Sequence, residues 1–205
     1  MSALVGAPSA LAAGGGASPS GSGAAAPAPT TTATTTTGAT VNSGGGGISA
    51  PPPGVSTPTR PIVPGAVAKI INGVAYAPSW APIQVQEAIW AGNQIRRKPY
   101  IWGGGHQSFI AAGYDCSGSV SYVLHAAGLL KTPFDSSDFM KWGLKGLGHW
   151  ITVYTNPGHA FVQIAGIRFD TSAEADSNPP PGSGPRWRPL FQHPQGFSAR
   201  HFAGL

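Results

Sequence analysis

The chain has 205 residues, with 12 Lys and Arg against 7 Asp and Glu, a formal charge of +5. Charged residues make up only 9% of it, while Gly and Pro number 30 and 21, an excess of loop formers that argues against one uniform fold from end to end. No apolar run reaches the ~18 residues of a membrane-spanning helix, and a single cysteine excludes an internal disulfide framework and any Cys-cluster metal site.

The first charged residue is Arg60, and 51 of residues 1–59 are Gly, Ala, Pro, Ser or Thr. Such a stretch buries too little apolar surface to offset the entropy of ordering it, so residues 1–67 read as a disordered N-terminal region. Pro51-Pro52-Pro53 stiffens it locally and Gly44 to Gly47 loosens it. The run Thr30 to Thr37 resembles stalks that carry O-linked sugars, with an unmodified flexible linker as the other reading. Ala10-Leu11-Ala12 has the small-x-small spacing of a signal cleavage site, yet no basic residue precedes it and Pro8 interrupts the apolar stretch. It reads either as the tail of an export signal or as more low-complexity sequence.

All the charged residues fall in 60–205, and residues 68–205 suffice for one folded domain. Ser79 is the expected N-cap of a helix running to about Arg96, with Val85, Ala88, Ile89, Gly92 and Ile95 at helical spacing and Pro82 in the first turn. Arg96-Arg97-Lys98 then sits where cations suit the helix dipole. The basic excess also suits anionic wall polymers, but no basic-aromatic ladder points to a specific nucleic acid. Gly103-Gly104-Gly105 breaks the chain. A second helix is expected from Cys116 to Ala127, with Val120, Val123, Leu124 and Ala127 as its stripe and Gly128 as its stop. Strands follow at Trp150–Tyr154, His159–Ile164 and Ile167–Thr171, the first two joined through Asn156-Pro157-Gly158 and the last two through the tight turn Ala165-Gly166. A Pro- and Gly-rich loop spans Ser177 to Pro185, with short strands expected around Trp187–Phe191 and Phe197–Phe202. Helices first and antiparallel strands afterwards is an α+β pattern.

The last hairpin makes a sharper statement. If Ile164 pairs with Ile167, then His159, Phe161, Gln163, Arg168 and Asp170 share one face, because side chains alternate. The opposite face carries Ala160, Val162, Ile164, Ile167 and Phe169 and should meet the core. His159 and Asp170 then emerge on the same side as diagonal neighbours. Cys116, at the start of a helix, would gain from the N-terminal dipole and from unpaired N–H groups, which stabilise a thiolate and a developing oxyanion. Cys116 with a histidine brought close by the fold is the pattern of an activated nucleophile. An inert buried thiol is the plain alternative.

Tyr100-Ile101-Trp102-Gly103-Gly104, then Asp115-Cys116-Ser117-Gly118, then Gly158-His159-Ala160-Phe161-Val162 resembles the NlpC family of papain-like cell-wall cysteine peptidases, over roughly Gln84 to Thr171. The resemblance implies helices packed on an antiparallel sheet and cleavage of peptidoglycan stem peptides, at the bond between D-γ-glutamate and the diamino acid. It implies Cys116 as nucleophile, His159 as general base and Tyr100 near the oxyanion. The orienting role, commonly His, Asn or Gln in that family, falls on Asp170, with His193 or His201 as alternatives. Asp115 and Ser117 match positions that meet the free amino end of the stem, Trp102 and Gly158 join them in substrate binding, and N-capping is a compatible role for Asp115. No cofactor and no metal is implied. His106, His125 and His149 lack metal-ligand spacing and read as ordinary residues. The family's Pro-Gly-Asp motif is absent, its place taken by Lys145-Gly146-Leu147-Gly148-His149, and the Tyr100-to-Cys116 segment is lengthened by His106-Gln107-Ser108-Phe109. The expectation is a secreted, wall-located monomer and hydrolase. An amidase or acyltransferase of the same superfamily and an inactive wall-binding module are the alternatives.

Overall fold

The computed structural model describes residues 60–174, 176 and 184–205. The expectations of disorder over 1–59, of an export signal and of a Thr-rich stalk lie outside the described residues, as does most of the Pro-rich loop.

The fold begins earlier than Ala68. Strand β1 (Ile62–Val63) runs parallel to β3 (Val74–Pro78), and β2 (Lys69–Ile71) pairs antiparallel with β3. Residues 60–67, read from composition with the low-complexity half, are thus partly structured. Val63 is buried, and the Pro61 carbonyl accepts from Ala77 N (3.0 Å) and Trp90 Nε1 (3.0 Å). Asn72 and Gly73 have φ of 51° and 72°, the left-handed pair that a two-residue hairpin requires.

Helix α1 (Ile83–Ile95) starts later than Ser79. Its N-cap position is Pro82, without a side-chain cap, and the Ser79 hydroxyl accepts instead from Gly65 N. Helix α2 (Cys116–Ala126) matches its expected span and is N-capped by Asp115. Val120, Val123 and Leu124 of α2 and Val85, Ala88 and Ile89 of α1 are fully buried where the two helices meet. Asn93 ties α1 to both sheets: its amide accepts from Ala75 N (2.9 Å) and Trp187 Nε1 (3.0 Å) and donates to Ala75 O (2.8 Å). Two short elements missed in the sequence follow, α3 (Ser136–Phe139), closed by an Asp135–Asp138 capping box, and β4 (Leu144–Lys145).

The main sheet adds β5 (Ile151–Asn156), β6 (His159–Ile164), β7 (Ile167–Asp170), β8 (Arg186–Arg188) and β9 (Ser198–His201), in the order β4-β9-β5-β6-β7-β8. Every neighbouring pair in it is antiparallel. The architecture is α+β. Ile164 pairs with Ile167 across Ala165 (φ 49°) and Gly166 (φ 90°), so the register read from the sequence holds. Ala160, Val162, Ile164, Ile167 and Phe169 are buried on the helix side, where α2 packs against β6 and β7. The other face differs from its expected polar character. Phe161, Arg168 and Asp170 are each about 1% exposed there, because Phe161 stacks with Tyr154 and Phe191 and meets Phe197 edge-on. At β6 and β7 the sheet is buried on both sides, and a second, aromatic core lies on the face that carries His159.

Candidate active site

The two motifs at the cleft are two sides of one close contact. Gly103 (φ 73°) and Gly105 (φ 90°) turn the chain back so that it lies on the first turn of α2. A Cβ on Gly118 would run into the Gly104 carbonyl, and one on Gly104 into the Gly113 carbonyl. These glycines are needed for backbone to approach backbone. The result delivers Cys116 at the helix N-terminus beside Tyr100, Trp102 and Gly103. Of the first-turn amides, Gly118 N–H goes to the Asp115 carboxylate (2.8 Å) and Ser119 N–H to the Asp115 carbonyl (3.0 Å), which leaves those of Cys116 and Ser117 at the cleft.

His159 opens β6, and the Asn156 side chain sets the turn before it by accepting from Gly158 N and His159 N, each at 2.9 Å. His159 Nε2 lies 2.9 Å from Asp170 Oδ1, an oxygen that also accepts from Ser172 N (2.9 Å). Arg168 Nη1 sits 3.5 Å from Asp170 Oδ2 as an ion contact. Among the described residues the Nε and Nη1 of Arg168 have no hydrogen-bond partner, and its guanidinium lies over the rings of Phe161 (5.8 Å) and Phe191 (5.2 Å). Asp170 is therefore the carboxylate bonded to the His159 ring, while His201 Nδ1 bonds the Gly146 carbonyl (3.1 Å).

The electrostatics follow from these contacts. Burial pushes the Cys116 thiol up, but its hydrogen bond to His159, the Ala160 backbone N–H and the imidazolium charge outweigh burial and leave it below its ordinary value. Burial lowers His159, while the hydrogen bonds to Asp170 and to Cys116 and the two negative charges raise it to about 10. Both shifts favour the thiolate–imidazolium form of the pair.

A cleft of about 580 Å³ opens in front of the thiol, lined among others by Tyr100, Trp102, Asp115, Cys116, Ser117 and Gly158. Burial, followed by the charges of Cys116 and Asp115, raises the Tyr100 hydroxyl, which keeps it a hydrogen-bond donor across the neutral range. Trp102 is 87% exposed at the rim. Among the described residues no three His, Cys, Asp or Glu side chains converge as a metal site requires, and no helix is long and apolar enough to cross a membrane.

No protein-family model matches the chain, and no curated protein is significantly similar to it. Solved structures match in part. The peptidoglycan hydrolase RipB of Mycobacterium tuberculosis is 19% identical over 58% of this chain and 64% of its own, with a TM-score of 0.43. An NlpC/P60 family protein of Bacillus cereus is 20% identical over 58% of this chain and 40% of its own, TM-score 0.43. RipD of Mycobacterium tuberculosis, described as a non-catalytic NlpC/p60 domain protein adapted to peptidoglycan binding, is 20% identical over 59% of this chain and 98% of its own, TM-score 0.42. The match spans a little under two thirds of the RipB chain.

One cleft residue was passed over in the sequence. His106, grouped there with the ordinary histidines, lines the cleft and pairs with Asp115, its Nε2 lying 3.0 Å from Oδ1 and 2.9 Å from Oδ2. The available signal was its place directly after the triple glycine, on a turn that folds back over α2. The loop it opens is anchored by Phe109, whose ring stacks on His125 at 3.8 Å and whose carbonyl accepts from the Tyr114 hydroxyl at 2.8 Å.

Proposed function

We propose that this chain is a cysteine hydrolase that cleaves amide bonds in peptidoglycan stem peptides outside the cell, of the D-γ-glutamyl–diamino acid endopeptidase type. The observation that carries the reading is the chain of contacts from Cys116 through His159 to the buried Asp170, at a helix N-terminus that faces an open cleft. The order of motifs, Tyr-x-Trp-Gly-Gly, Asp-Cys-Ser-Gly and Gly-His, supports the substrate class.

In this reading the Cys116 thiolate adds to the amide carbonyl carbon. The oxyanion so formed takes the free N–H groups at the start of α2 and the Tyr100 hydroxyl. The imidazolium of His159 gives its proton to the leaving amine as the C–N bond breaks, which leaves a thioester on Cys116 and a neutral imidazole. A water molecule then loses a proton to His159 as it attacks the thioester, and release of the carboxylic acid restores the thiolate–imidazolium pair. Asp170 holds the ring and stabilises its charged form throughout. A wall-binding module of the kind described for RipD has no use for a depressed thiol or a charge-stabilised imidazolium, so the geometry favours hydrolysis.

The test is mass spectrometry of purified peptidoglycan incubated with the full chain or with Cys116→Ala. New stem fragments confined to the unmodified protein are expected, and their masses name the bond. Indistinguishable digests overturn the reading.

A further inference from the structure

The wall of the cleft beside Cys116 holds a carboxylate with nothing left to offer. Asp115 accepts from Gly118 N at 2.8 Å on Oδ1 and from Gly103 N at 3.0 Å on Oδ2. His106 Nε2 bridges both oxygens, and Ser117 Oγ lies 3.2 Å from that same Nε2 and 3.4 Å from Asp115 Oδ1. A carboxylate has about four lone-pair directions, and three close donors of the protein itself, one of them bridging, stand against them, with the Ser117 hydroxyl at longer range. The Asp115 side chain is 9% exposed against 28% for His106. An ammonium group arriving here meets a closed carboxylate and a positive ring.

His106 is raised above the ordinary imidazole value, which favours its charged form, chiefly by the hydrogen bond to Asp115, with burial acting in the opposite direction and the charges of Asp115, Asp135 and Cys116 adding to the rise. Its second ring nitrogen, Nδ1, has no hydrogen-bond partner among the described residues, and an imidazolium donates from both nitrogens. The wall thus presents one N–H donor on a pair of zero net charge. Asp135 and the Cys116 thiolate face the same cleft and disfavour an anion there. An uncharged acceptor, the carbonyl oxygen of an amide, is the group that fits.

We infer that His106 determines specificity, in a proposal that rests on the hydrolase reading: it closes Asp115 to a free amino end and directs the cleft to stem peptides whose amino end is acylated. This departs from the role that the family resemblance implies for Asp115 and Ser117.

The experiment uses a synthetic γ-D-glutamyl stem peptide with its amino end either free or acetylated. Calorimetry on the full chain carrying Cys116→Ala reads binding apart from chemistry. The acetylated form is expected to bind about tenfold or more tighter. Adding His106→Ala reopens Asp115 and is expected to reverse the order. His106→Gln, which keeps an N–H for Asp115 without the charge, falls between and guards against a folding defect in the alanine variant. Equal binding of the two peptides, binding of neither, or a ratio that both His106 variants leave unchanged overturns the inference. Cleavage by the unmodified chain separates the two readings. Binding with the expected preference but no cleavage of either peptide sinks the hydrolase and keeps the subsite, whereas faster cleavage of the free-amino peptide keeps the hydrolase and sinks the subsite.

Discussion

Two His–Asp pairs stand at this cleft, both at 2.9 Å, and they are put to different uses. His159 has its carboxylate behind it: Asp170 is 1% exposed, backed by Arg168 and a layer of aromatic rings, and the ring serves the thiol. His106 has its carboxylate in the wall itself, where Asp115 also caps α2 and the second nitrogen of the ring has no hydrogen-bond partner among the described residues. In the first pair the carboxylate adjusts a base. In the second the base silences a carboxylate. Equal geometry therefore does not imply equal function, and what decides is where each remaining nitrogen can reach.

The strongest way to break this contrast is Asp170→Asn. Turnover on stem peptide is expected to fall about 10²–10⁴-fold. Its sign in pH follows from the contacts. The working ion pair exists above the lowered thiol value and below the raised imidazolium value of about 10. Removing the Asp170 charge lowers the upper bound, and the weaker imidazolium lets the thiol rise, so the window narrows from both sides. NMR titration of the His159 ring reads this without a substrate, and an unmoved ring would cancel the role given to Asp170. Next in size is Gly118→Ala, where a rigid carbonyl stands in the way. A loss of about 2–3 kcal/mol is expected in urea unfolding, and an unchanged midpoint would deny the close approach of the triple glycine to α2. The smallest effect belongs to Asp115→Ala, about 1–2 kcal/mol for a lost N-cap and its companions. Asp115 is depressed, so its contribution is present above about pH 3.9 and fades as pH falls through its folded value; His106 is raised, so its share is full below about pH 6.5 and fades as pH rises through its folded value. The difference in melting temperature between the two proteins should then peak between those limits, and a difference flat across pH would remove the ion pair from the account.

Much of the site was legible in the sequence because it rests on local rules. Ala165-Gly166 sets a two-residue turn, the turn sets the register, and alternation then puts His159 and Asp170 on one side. Asp115 before Cys116 marks a capped helix. The N-terminal hairpin was legible too and went unread: Asn72-Gly73 between Lys69-Ile70-Ile71 and Val74-Ala75-Tyr76 is a strong turn signal. Other features have no local signature. Ser79 is a good cap by residue type, but its hydroxyl is drawn to Gly65 by the small sheet. Arg168 reads as solvent-facing by alternation, and Phe191 and Phe197, far along the chain, help to cover that face. His106 meets Asp115 through a glycine turn with no repeating spacing, which periodicity cannot detect.

The aromatic layer behind Asp170 has an effect on the solution side of the problem. Dissolved ions form an atmosphere around any charge they can approach, and that atmosphere weakens attraction between exposed groups. Phe161, Phe191 and Phe197 occupy the space that this atmosphere would need on the face of the sheet they share with the pair. The pull of Asp170 on the His159 ring is thereby insulated, and it is felt almost alike in dilute buffer and in brine.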